Sequence, residues 1–140
     1  MSLKTRRDFQ VLARLRTREA RALVRTGNEQ GAYYLAGFAV ECALKACIAK
    51  KTRRYDFPRD QNYAKSVYTH DLGELLKLAG LNAQFDSDSK VDAALGANWG
   101  VVKGWTVASR YETTGLRGRD MLKAVTSRQG GVLKWIRNHW

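Results

Sequence analysis

A single proline in 140 residues, Pro58, leaves little in this chain to interrupt helices, and no low-complexity tract or internal repeat occurs. Two histidines and two cysteines make a metal centre unpromising, because neither cysteine is joined by a second ligand at metal spacing. Cys42 and Cys47 lie five apart on one predicted helix, where their side chains diverge too far for a bridge. They read as free, buried thiols. That usage, with no charged-then-apolar secretory start, points to a reducing cytoplasm. No phosphate-cradling glycine loop follows a strand, no nucleophile motif or carboxylate pair stands out, and no cofactor is expected.

Acidic side chains are the other scarcity. Thirteen stand against 25 lysines and arginines, for a net charge of +12. The excess is uneven: residues 1–26 carry eight basic and two acidic groups, 45–65 seven and two, and 99–140 eight and two. Residues 66–98 run the other way, with Lys77 and Lys90 against five acids. Such a balance favours a polyanionic partner, since each phosphate neutralised releases counterions. A solvated basic surface, or an acidic protein partner, would use the same charge.

The length fits one domain, residues 1–140, and the 44% hydrophobic content fits a globular, helix-rich chain. A first helix is predicted from about Thr5 to Arg25, with Phe9, Leu12, Leu15, Leu23 and Val24 as its apolar stripe. Arg14, Arg18, Arg21 and Arg25, spaced four, three and four, form a basic ridge that is either a solvated face or a phosphate track. Gly27 and Asn28 mark the turn into a second helix, from about Gln30 to Lys51. Residues 31–48 of that helix are almost wholly apolar, with Glu41 and Lys45 set into them. The run approaches the length of a membrane span, but two ionisable groups near its centre favour a buried hub instead.

In and just before the segment Thr52 to Tyr68, Lys50, Lys51, Arg53, Arg54 and Arg59 alternate with Tyr55, Phe57, Tyr63 and Tyr68. These rings either stack on unpaired bases or pack as a satellite core. Thr69 is expected to cap a short third helix ended by Gly80, and Asn82 to Asp88 to form an exposed loop. A fourth helix is predicted from Ser89 to about Tyr111. Its Gly96, Gly100, Gly104 and Ala108 make a face suited to close approach of another backbone, from the second helix or a second copy. Thr113 to Gly118 reads as a loop. A final helix carries Leu122, Val125, Val132, Ile136 and Trp140 inward, with a weak point at Gly130 and Gly131 or a break into two.

The run AYYLAGFAVECALKA, the Thr69-His70-Asp71-Leu72 turn, Trp105 and Ser109-Arg110-Tyr111 together resemble the HEPN family of small bacterial helical domains. The resemblance covers most of the chain and implies an all-α, up-and-down bundle of about four or five helices. It also implies a homodimer, a role in toxin–antitoxin or defence systems as a ribonuclease or nucleotide-binding accessory, and a nucleotidyltransferase-type antitoxin as partner. Catalytic members carry an arginine followed, after four to six intervening residues, by a histidine. Here the residues five before His70 and His139 are Lys65 and Lys134, so the motif is not met.

Glu41, buried on an apolar helix, needs a partner, and Arg110 is the expected one, as a register-fixing ion pair or as the floor of a pocket for a phosphate or base. Candidate nucleotide- or RNA-binding residues are Tyr33, Tyr34, Glu41, Lys45, Arg53, Arg54, Arg110 and Tyr111. His70 is the one placed general base if the chain cleaves RNA, and is otherwise a turn-holding residue. The expected function is therefore an RNA- or nucleotide-binding accessory module. A metal-independent endoribonuclease and a non-catalytic protein adaptor are the alternatives.

Overall fold

The computed structural model describes residues 4–52 and 67–140. Arg53, Arg54, Arg59 and the rings of the basic-aromatic segment up to Tyr63 lie outside them. The architecture is all-α: seven helices and one 3-10 turn, with no strand among the described residues.

α1 spans Arg6–Arg25 and α2 Glu29–Lys51. Thr5 starts α1 by a reciprocal cap, its hydroxyl accepting from the Asp8 amide at 3.1 Å while Asp8 accepts from the Thr5 amide at 2.8 Å. The residues α1 buries are small, namely Ala13, Thr17 and Ala20, and α2 buries Ala32, Ala36, Ala39 and Ala43. Small side chains on both let the two helices run close together. Thr17 satisfies its buried hydroxyl by donating to Ala13 O at 2.7 Å. At the turn, Gly27 has φ +77°, and Asn28 N–H reaches back to Leu23 O at 2.8 Å, closing the helix in the left-handed cap that glycine favours.

α2 is the hub. Apolar on nearly every side, it is surrounded by α1, α3 (Leu72–Leu78), α6 (Gly118–Thr126) and α7 (Val132–Arg137). Its Val40, Leu44 and Ile48 join Leu72, Leu75, Trp105, Met121, Val125 and Ile136 in one core. It is also the one helix among the described residues long and apolar enough to cross a membrane, but its most apolar window is 67% buried by the rest of the chain.

Four expectations need correction. Asp71, not Thr69, caps α3, accepting from Glu74 N–H at 2.9 Å. Asn82 to Asp88 is not a loop but most of α4, Asn82–Val91, because Phe85 anchors it in the core against Trp99 and Trp135. The long fourth helix is broken: Asp92 caps a separate α5, Ala93–Val102, and Trp105 then turns inward before a 3-10 turn at Val107–Tyr111. The glycine series therefore does not share one helical face, and side chains added at Gly100 and Gly104 would meet only open space. The last helix is two, α6 and α7, separated where Gly130 at φ +70° abuts the Ala94–Leu95 backbone. The helix count exceeds four or five accordingly.

Close backbone approach occurs elsewhere. A Cβ at Gly37 would fall inside the Trp105 indole, which donates from Nε1 to Tyr34 O at 3.2 Å. Gly37 is thus the socket that seats the segment after α5 on the hub.

Candidate functional site

Glu41 is 2% exposed, and two groups answer it. Lys45 Nζ, one turn further along α2, lies 3.3 Å from Oε2, and His70 Nδ1 lies 2.8 Å from Oε1. The i,i+4 spacing puts Lys45 on the same face as Glu41. His70 comes from the turn before α3, which is braced on both sides. The Thr69 hydroxyl accepts from Asp71 N–H at 3.1 Å and donates to Glu74 Oε2 at 3.1 Å. The imidazole is 49% exposed and the lysine side chain 14%, so the cluster has a buried acid and an open rim.

Arg110 is not the partner of Glu41. The break after Val102 leaves it on the exposed end of the 3-10 turn, where its guanidinium bonds Tyr111 Oη at 3.0 Å and lies 4.9 Å over that ring. Hydrogen bonding to Tyr111, then the charge of Tyr111 and a bond to Tyr34, hold its pKa above the ordinary value. Tyr111 is 73% exposed. Tyr34 is stacked between Phe38 and Trp105, with centroids 6.0 and 5.9 Å away. Tyr33 is half-buried, and burial raises its hydroxyl pKa.

Tyr34, Phe38, Glu41 and Lys45 follow a spacing of four, three and four and so line one face of α2. Of the expected residues, this face joins Tyr34, Glu41, Lys45 and His70, while Arg110 and Tyr111 stand at its Tyr34 end. Phe38 was missed. The spacing that revealed the arginine ridge on α1 would have found it.

The ridge itself is exposed at Arg14, Arg18, Arg21 and Arg25. Arg14 also lies 4.9 Å over the Trp140 ring, with Arg137 5.6 Å from the same ring, while Arg6 donates to Trp140 O. Arg16 is spent on Glu19. His139 packs 4.5 Å from Trp135.

Two clefts open among the described residues, the first beside the hub and the second between α5 and α7. One, of 500 Å³, lies between Cys47, Lys50, Lys51, Ala79 and His139. Its lysines point at helix-end carbonyls, Lys50 at His139 O and Lys51 at Leu78 O, each 3.5 Å away, where they offset the negative ends of α7 and α3. The other, of 390 Å³, lies between Leu95, Arg128, Gly130, Lys134 and Trp135. Among the described residues, no group of three or more His, Cys, Asp or Glu could hold a metal ion.

Both thiols are buried and free. Burial, then the charge of Glu41, pushes Cys42 up to about 12, and burial pushes Cys47 up to about 11. Thiols so suppressed are poor nucleophiles.

No family model, no curated protein and no solved structure matches this chain.

Proposed function

We propose that this chain is a HEPN-like helical module of the cytoplasm that binds RNA or a nucleotide without cleaving it. The observation that carries the reading is the exposed arginine ridge on α1 in a chain of net charge +12. From Arg14 to Arg25 it extends about 16 Å along the helix, enough for several phosphates of one strand. Arg110 and Tyr111 add an exposed cation stacked on a ring, the pairing that holds a phosphate next to an unpaired base.

The test is the salt dependence of binding to a labelled single-stranded RNA. Four phosphate contacts give a log–log slope of about −3, and replacing Arg18 and Arg21 by alanine flattens it by about 1.4. A slope near zero removes the reading. Homodimerisation and a nucleotidyltransferase-type antitoxin partner are part of the proposal by resemblance to HEPN domains. Light scattering and copurification test them.

A second reading, a metal-independent endoribonuclease, is favoured by one observation, the half-exposed imidazole of His70 backed by a buried carboxylate. Cleavage of labelled RNA in EDTA, lost in His70→Ala, would establish it. A protein adaptor is the outcome if an acidic partner copurifies and RNA does not bind.

A further inference from the structure

The turn between α6 and α7, residues 127–131, is clamped to the start of α5. Gly130, at φ +70°, lies so close that a Cβ there would stand 2.5 Å from Leu95 N, and its carbonyl accepts from Asn98 Nδ2 at 2.8 Å. The Trp135 indole on α7 is fixed from two sides: Nε1 donates to Asp88 Oδ2 at 2.8 Å, and the Phe85 ring stands at right angles to it at 5.3 Å. The turn and the indole both line the 390 Å³ cleft, whose remaining apolar wall is Ala94 and Leu95. That volume falls at the small end of the ~300–1,000 Å³ usual for ligand sites. Walls held in this way need little reordering when a ligand enters.

The lining carries two cations and one acid. Arg128 stands on the turn and Lys134 on α7; both are exposed, and neither makes an ion pair or hydrogen bond among the described residues. The lysines of the other cleft, by contrast, face helix-end carbonyls. Asp92 is the acid, and its Oδ1 accepts from Leu95 N–H at 3.2 Å as the cap of α5, which keeps the carboxylate in the lining. A balance of one positive charge beside flat apolar walls fits a singly charged anion on a flat apolar body. A carboxylate can take two parallel bonds from a guanidinium, and an aromatic ring can pack on the indole. A phosphate monoester, with two charges, would leave one uncompensated.

We infer that the cleft between α5 and α7 binds a small organic carboxylate with a flat apolar body, Arg128 gripping the carboxylate and Trp135 packing on the ring. The site draws no residue from α1 or from the Arg110 turn, so it stands apart from the polyanion-binding reading.

The experiment titrates naphthoate into the full chain at about 0.15 M salt and follows the nitrogen-15 indole signals of the four tryptophans. A saturable shift of the Trp135 signal, assigned with Trp135→Phe, is expected, while that of Trp105, 2% exposed, stays in place. Arg128→Ala should weaken binding about tenfold, the loss of one charge-assisted hydrogen bond, and Lys134→Gln about threefold, as for an exposed ion pair. Both replace exposed side chains, so their urea midpoints should match wild type. Naphthylmethanol, without the charge, should bind about tenfold more weakly than naphthoate. Asp92→Asn keeps a capping side chain and removes the acid, so naphthyl phosphate, the weaker ligand of wild type, should become the tighter of the two. A Trp135 signal that does not saturate, an Arg128→Ala protein that binds naphthoate as wild type does, or an alcohol or phosphate ester that wild type binds as well as the carboxylate would overturn the inference.

Discussion

Replacing Lys45 by methionine isolates the electrostatics of the hub. The substitution keeps the aliphatic stem, removes the ammonium 3.3 Å from Glu41 Oε2, and leaves a carboxylate that is 2% exposed with His70 alone to answer it. Breaking a buried pair from one side costs roughly 3–5 kcal/mol, because the remaining charge stays desolvated. The His70 bond and the 14% exposure of the lysine put this case at the lower end, about 3 kcal/mol. Unfolding entropy for a chain of this size converts that to a fall in Tm of about 10 °C. His70→Ala removes one bond from a half-exposed ring and costs about 1 kcal/mol. Combining Lys45→Met with Glu41→Leu removes both buried charges and restores stability to within about 1 kcal/mol of wild type. Urea titrations of the four proteins, read as midpoints at constant m, measure all of this. A Lys45→Met protein as stable as wild type, or a double variant no better than the single, would refute the account of Glu41 as a buried acid stabilised by its two neighbours.

Other consequences are as direct. Gly37→Ala drives a methyl into the Trp105 indole and should cost about 1–3 kcal/mol by overpacking, with quenched or shifted indole fluorescence as a second sign; an unchanged midpoint would contradict the socket. Asp88 accepts from Trp135 Nε1 and Gln84 Nε2, each at 2.8 Å, and these bonds hold its pKa below the ordinary 3.8. A depressed carboxylate adds stability above its unfolded value that is lost as pH falls through the folded one, so Asp88→Asn should flatten the fall of Tm below about pH 4, and parallel curves would be the contrary result. Cys42 and Cys47 should react with a thiol reagent only on unfolding; rapid labelling of the native chain would contradict their burial.

The parts of the fold legible in the sequence are those set by local chemistry. The stripe of α1, the turn at Gly27 and Asn28 and the apolar run of α2 placed the first two helices to within a residue or two. The reading failed where a tertiary contact overrides local pattern. Asn82 to Asp88 looks polar and loop-like, yet Phe85 packs it against Trp99 and Trp135, and Asp88 accepts from Trp135 Nε1, so the segment is held as a helix. The glycine rhythm after Ser89 looked continuous, but Asp92 and the inward turn of Trp105 cut it. The same turn explains the misplaced Arg110: register counted along an unbroken helix does not survive the break. That Glu41 had to have a partner was legible from burial alone. Lys45, four residues further on, was within reach of spacing; His70 sits on a segment that folds back 29 residues later, which spacing along a helix does not reveal.

The central claim, that the exposed arginines of α1 serve a polyanionic ligand, is tested most directly by the salt titration of RNA binding in wild type and in the Arg18→Ala, Arg21→Ala double variant. Binding that weakens with a slope of about −3 in wild type and about −1.6 in the variant is the predicted result. Binding absent at low salt, or a slope that the two substitutions leave unchanged, would contradict it.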